Sequence, residues 1–187
     1  MKHLCILCMA ILMSCGNTTA NEHNRENEAF YELYRTAAVR TSFPSRSSMP
    51  SHVILATKYL HFSEKTHSRE LAKLTGVNVR RTEWCAAFIN GLLRQLNKPG
   101  SESVSDYPLT ARSFMDFGIE VKDPKIGDIV VFPRGNQGWQ GHVGIYVGNK
   151  TINGIEYYSI LGGNQNDKVS VELYRANKAL SIRRLDS

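Results

Sequence analysis

Two side chains in this sequence are of types that can do covalent chemistry together, Cys85 and His142. A thiolate attacks carbonyl carbon, and an imidazole beside it can take the thiol proton and return it to a leaving group. Cys85 stands in the run Thr82-Glu83-Trp84-Cys85-Ala86-Ala87-Phe88-Ile89. Cys85, Phe88, Ile89, Leu92 and Leu96 recur at the i, i+3, i+4, i+7 spacing of a buried helical face. Thr82 reads as the N-cap and Lys98-Pro99-Gly100 as the stop, which puts the thiol in the first turn. There the helix dipole is expected to lower its pKa and favour the thiolate. A lone helical thiol by itself usually only packs, so the case for chemistry depends on what else the chain supplies.

The first requirement is a base. His23 sits in a polar stretch, and His52, His61 and His67 fall in helical patterns among polar neighbours, where a solvated surface is the expectation. His142 differs: it follows Gly141 and opens a strand, with Val143, Ile145 and Val147 on one face and His142, Gly144 and Tyr146 on the other. A catalytic imidazole also needs a third group to fix its ring and tautomer. Gly162-Gly163-Asn164-Gln165, at the end of the following strand, offers one. The glycines permit close backbone approach, Asn164 is the candidate orienter through its side-chain oxygen, and Gln165 substitutes if Asn164 points elsewhere. Gly-Gly-Asn is equally the composition of an ordinary turn.

Gln165 is also a candidate for substrate contact, and three further residues join it, each with a structural alternative. Trp84, next to the thiol, either lines a groove or packs in the core. Asp128 opens a strand and either meets substrate or pairs with an arginine. Trp139, in the loop before His142, is placed to stack on sugar or peptide. One cysteine and scattered histidines give no zinc-ligand spacing, so neither a metal nor a cofactor is expected.

The elements that must position these groups follow from the hydrophobic periods. Helical patterns cover 28–39, 52–62 with Ser51 as cap, 64–74 ending at Gly76, the Cys85 segment, and 108–117 stopped by Gly118. The period then changes to short strands at 127–132, 142–147, 155–161, 168–174 and 180–184, with Asn153-Gly154 as a hairpin turn. Helices first and hairpin-linked strands afterwards predict an α+β domain in which helices pack on an antiparallel sheet of about five strands.

At 187 residues, with 42% hydrophobic and 21% charged residues, the chain suits one domain with a real core. The net charge of +6 suits contact with an anionic polymer such as nucleic acid, a membrane surface or a bacterial wall. No Lys/Arg run is long enough to choose among these, and a solvated basic surface is the plainer reading; no nucleic-acid partner is expected. Lys2 and His3 precede a short apolar run, 4–13, too short to span a membrane, and Leu12-Met13-Ser14-Cys15-Gly16 resembles a lipoprotein processing site. Met13 departs from the commonest pattern, and the alternative is a plain signal peptide cut slightly further on. The expected organisation is a signal peptide at 1–14, a lipid anchor on Cys15 with a polar tether to 28, and a single domain over 29–187. The expected location is the cell envelope, periplasm or outer membrane if the cell is Gram-negative. Cys5 and Cys8 would leave with the signal and Cys15 would carry lipid, so Cys85 would be the only free thiol of an exported protein. Such a thiol suggests a use for it.

Four runs occur in order: Trp84-Cys85-Ala86-Ala87-Phe88, residues 127–132, residues 141–148, and Leu161-Gly162-Gly163-Asn164-Gln165. This series resembles the NlpC-type and CHAP-like (cysteine, histidine-dependent amidohydrolase/peptidase) cell-wall hydrolases of papain-like fold. It shares its Trp-Cys-Ala-Ala-Phe and Gly-Gly-Asn-Gln signatures with a compact bacterial and phage-associated subgroup. The resemblance covers residues 53–184 and leaves 16–50 unexplained. It implies Cys85 as nucleophile, His142 as base and then acid, and Asn164 as orienter, the third residue being the one whose identity varies in the family. It further implies hydrolysis of an amide in peptidoglycan stem peptides through a thioester. Alternatives on the same fold are a non-catalytic wall-binding protein, an acyltransferase using the same pair, and an exported toxin, which a lipid anchor makes less natural.

Overall fold

The computed structural model describes residues 46–186. The expected signal peptide, Cys15, the tether and the helix over 28–39 lie outside the described residues. Three helices come first: α1 (Ser51–Thr57), α2 (Ser68–Thr75) and α3 (Cys85–Gln95). Six strands follow: β1 (Ile119–Glu120), β2 (Ile129–Pro133), β3 (Gly141–Ile152), β4 (Ile155–Gly162), β5 (Ser170–Arg175) and β6 (Ser181–Arg184). They form one antiparallel sheet in the order β1-β6-β2-β3-β4-β5. This is the expected α+β arrangement, compatible with a papain-like domain. The sixth strand is the two-residue β1, too short to leave a periodic signal in the sequence.

The helices are shorter than their patterns, for local reasons. α1 begins at Ser51, with Pro50 rather than Ser51 in the cap position and its carbonyl accepting from the N–H groups of Val53 and Ile54. Past Thr57 the chain continues in tight i to i+3 turns until His61, at φ 69°, turns its N–H to the Val169 carbonyl. α2 starts four residues later than expected because Ser63 bridges to Lys168 and the Glu64 N–H bonds Asp167. It ends where predicted, with Gly76 left-handed at φ 76°. Residues 108–117 give only a 3₁₀ segment, Ala111–Asp116, anchored by the buried Phe114 edge-on to Phe117.

α3 is the central element. The predicted apolar stripe understates it: every residue from Cys85 to Leu93 is buried, while Leu96 is partly exposed. The helix packs against α1 and α2 and against β3 and β4, which leaves residues 85–93 no solvated face, while Arg94 and Gln95 at its end are exposed. Gly91 makes the close α2 contact possible, since a side chain there would collide with the Leu74 carbonyl. That carbonyl is instead taken by Arg94, at 2.6 Å.

The centre of the sheet is buried on both faces. Ile129, Val131, Val143, Ile145 and Val147 join the helical core. Val130, Phe132, Tyr146, Tyr158, Ile160 and Ile182 form a second apolar layer on the opposite face. The continuous apolar run at 129–132 and the alternation along β3 are thus both accounted for. Asn153 and Gly154, at φ 50° and 76°, form the predicted tight turn between β3 and β4.

Candidate active site

Cys85 is the first residue of α3, with Trp84 in the cap position and no side-chain cap. Thr82, the expected cap, lies outside the helix. The thiol meets the backbone N–H groups of Ala86 and of Val143, the residue after His142. Contact across α3 and β3 therefore brings the nucleophile to the start of the strand that carries the candidate base. The expected depression of its pKa is reversed. Burial pushes the Cys85 thiol up, and the two N–H groups and the Arg134 charge pull it back only in part. The helix N-terminus does not win against near-complete loss of solvent.

His142 is fully buried. Burial first, and the Arg134 charge second, hold its pKa down to about 3 against the opposing effect of its hydrogen bond to Gln165. Its ring is fixed by a short chain of constraints. The Gln165 amide nitrogen donates to the carbonyls of Ser170, at 2.7 Å, and Ile160, at 3.3 Å. The amide oxygen is thereby left facing His142 Nε2 at 3.0 Å, and an amide oxygen only accepts. Nε2 therefore carries the proton and Nδ1 presents its lone pair. Nδ1 is buried and has no hydrogen-bond partner. A buried acceptor without a partner, on the strand whose Val143 N–H meets the Cys85 thiol, is a candidate general base.

Asn164, the first choice for orienter, points elsewhere. It is left-handed at φ 57°, and its side-chain nitrogen donates to Glu83 at 2.6 Å. Its carbonyl accepts from Arg134 at 3.4 Å. Gln165, named as the substitute and as a candidate substrate contact, instead holds the ring from a site only 2% exposed. The reason is local backbone geometry. Gly163 lies so close to Trp84 and Phe88 that no Cβ would fit, which seats the end of β4 on the first turn of α3. The chain then turns through the left-handed Asn164, sending that side chain to the rim and the next one inward.

Three residues not singled out in the sequence complete the site. Arg134, just past β2, lies 3.7 Å from Glu83 and hydrogen-bonds the side chain of Tyr174, and its charge acts on both Cys85 and His142. Tyr174 stacks on the His142 ring, with centroids 5.1 Å apart and planes within 13°. Glu83 accepts from Asn164 and pairs with Arg134. A fixed guanidinium beside the thiol favours the thiolate and resists protonation of the imidazole. No pattern in the sequence brings β5 over the start of β3, so the Tyr174 contact had no linear signal.

The remaining candidates separate cleanly. Trp84 is a core residue, 0% exposed, edge-on to Phe88 with its indole N–H on Glu64 at 2.6 Å, and it lines no groove. Asp128 is a structural carboxylate, 2% exposed and bidentate to Arg184 at 2.9 and 2.7 Å while accepting the Lys125 N–H. Its burial and its pairing with Arg184 account for it structurally. Trp139 stands free, 66% exposed. His52 is a second departure from expectation. It is buried, with Nε2 donating to the Gly127 carbonyl at 2.7 Å. Among the described residues no group of three or more His, Cys, Asp or Glu side chains converges to hold a metal ion.

Residues 77–164 match the family model of the CHAP domain. The match spans Cys85 and His142, and ends at Asn164. No curated protein matches the chain. CHAP domains are in general amidases or peptidases that use cysteine and histidine, and the match indicates a peptidoglycan hydrolase or amidase type of function in general.

Proposed function

Starting from the CHAP domain that residues 77–164 carry, we propose that this protein is a cell-envelope cysteine amidase or endopeptidase that cleaves an amide of peptidoglycan stem peptides. The observation that carries the reading is the open, buried Nδ1 of His142, its tautomer fixed by Gln165 and its strand in contact with the Cys85 thiol. Cys85 and His142 rest as a neutral pair, since burial opposes charge on both. Attack on the amide carbonyl moves the thiol proton to Nδ1 as the carbon–sulfur bond forms, so no free thiolate is needed beforehand. The resulting imidazolium donates from Nε2 to Gln165 and returns its Nδ1 proton to the leaving amine, which departs as the thioester forms. Water then attacks the thioester with His142 again as base, releasing a carboxylate and restoring the thiol.

Arg134 stabilises negative charge on sulfur, and the Cys85 N–H at the first turn of α3 is a donor for the developing oxyanion, because first-turn N–H groups have no partner within the helix. The net charge of +6 supports residence on an anionic wall polymer. Anchoring by lipid at Cys15 would keep the domain at the membrane that borders its substrate. The test is digestion of purified peptidoglycan by the protein and by its Cys85→Ala variant, with released fragments read by mass spectrometry. The expected result is fragments with new amine and carboxylate ends from the native chain alone. Equal release by both would remove Cys85 as nucleophile, and no release from walls of several chemotypes would favour a wall-binding protein.

A further inference from the structure

We propose that the hollow between Tyr107 and Trp139 is a subsite for the glycan strand of peptidoglycan, an inference that rests on the wall-hydrolase reading above. The hollow measures about 460 Å³, and its walls include Tyr107, Thr110, Arg112, Asp116 and Trp139. That volume is within the usual range for small-ligand sites. Tyr107 and Trp139 are its two aromatic walls, 73% and 66% exposed. Aromatic faces carry negative charge density and favour the apolar, weakly positive C–H face of a pyranose. Arg112 and Asp116 put a cation and a carboxylate beside them, which suits hydroxyl and acetamido groups that both donate and accept.

Both aromatics are held out of the core by fixed loops. The Tyr107 carbonyl accepts from the Thr110 N–H at 3.0 Å and the Thr110 hydroxyl at 2.9 Å. The next carbonyl, of Pro108, accepts from Asn90 on α3 at 2.9 Å. On the other side, Gln140 Oε1 accepts the N–H groups of Asn136 and Asn-adjacent Gln137 at 2.8 and 2.9 Å. The Gln140 carbonyl takes Arg112 Nε at 2.9 Å. The loops that carry the two rings are thus ordered before a ligand arrives, which lowers the cost of binding. One wall is tied to the helix of Cys85, and the other runs directly into β3 and His142.

The test uses the full chain carrying Cys85→Ala, so that binding is read without turnover. The chain has two tryptophans, and Trp84 is fully buried, so ligand-dependent change in indole emission reports Trp139. The probes are a β-1,4-linked N-acetylglucosamine tetramer and, separately, a soluble stem peptide. The tetramer is expected to shift the emission saturably. Trp139→Ala should abolish that signal, and by calorimetry it and Tyr107→Ala should each weaken tetramer binding about tenfold. Both residues are exposed, and unchanged thermal melts would confirm that the variants fold. No saturable change with the tetramer, or a change with the stem peptide alone, overturns the glycan assignment. Hydrolysis of walls without tetramer binding removes the subsite and leaves the hydrolase reading intact. Tetramer binding without hydrolysis by the native chain retains the subsite and removes the hydrolase.

Discussion

His52 and His142 are both buried and both held below the ordinary imidazole pKa, chiefly by burial, yet they are built for different work. Each donates from Nε2. His52 gives its proton to the main-chain carbonyl of Gly127, which ties α1 to the segment entering β2, with the charges of Lys98 and Asp128 acting on it from opposite signs. His142 gives its proton to Gln165, a side chain that is itself locked by backbone carbonyls, and leaves a buried Nδ1 open on the strand that the Cys85 thiol touches. A depressed pKa is therefore common to a structural and a candidate catalytic histidine. What separates them is the second ring nitrogen and what lies beside it.

The largest effect that would test this contrast is on turnover. His142→Ala is expected to lower kcat/KM on soluble wall fragments by about 10⁴-fold, the upper range for loss of a general base. His52→Ala should leave kcat/KM within a few-fold of the native value, measured at a temperature where both variants are folded. Comparable losses from the two would break the distinction.

Next comes the dependence of stability on pH. The folded pKa of His142, about 3, lies below the ordinary 6.5, so between those values the unfolded chain binds a proton that the folded chain refuses. The contribution is complete above about pH 6.5 and is lost as pH falls towards 3, at about 1.4 kcal/mol per pH unit. His52 adds to the slope in the same direction. Denaturant titrations across this window should flatten when either histidine is replaced by phenylalanine, more so for His142.

Gln165 sharpens the comparison further. Gln165→Ala frees the His142 ring and is expected to lower kcat/KM by about 10²-fold. Gln165→Glu sets a negative charge against the ring and against the Ser170 carbonyl, and should raise the His142 pKa. The acid limb of the kcat/KM profile, expected well below pH 6.5 in the native protein, would then move towards neutrality. An unmoved limb would show that His142 is not the group reporting there.

The smallest expected effect is on folding alone. Loss of the bond from His52 to Gly127 should cost about 1–2 kcal/mol in chemical denaturation. A cost near zero would mean that this buried histidine does not hold α1 to the sheet.

Much of this was legible along the chain. The continuous apolar run of β2 and the alternation of β3 read correctly because strand periodicity records which faces are buried. The helix of Cys85 read correctly in position, but its burial all round did not, because a pattern of apolar residues cannot count the layers packed against it. The Gly-Gly-Asn-Gln run does supply a side chain that holds the His142 ring. The choice between Asn164 and Gln165 turned on one left-handed residue and on Gly163 packing against Trp84.

The order of helices and strands, the pairing of a cysteine at a helix start with a histidine at a strand start, and the glycines at the close approach are all properties of the sequence itself. They follow from local periods and from the steric limits of single residues. The protonation of Cys85 and His142, the roles of Arg134 and Tyr174, and the assignment of Asp128 and Trp84 to structure belong to the tertiary fold. Desolvation and charge act through space, between residues that the chain separates and only packing brings together.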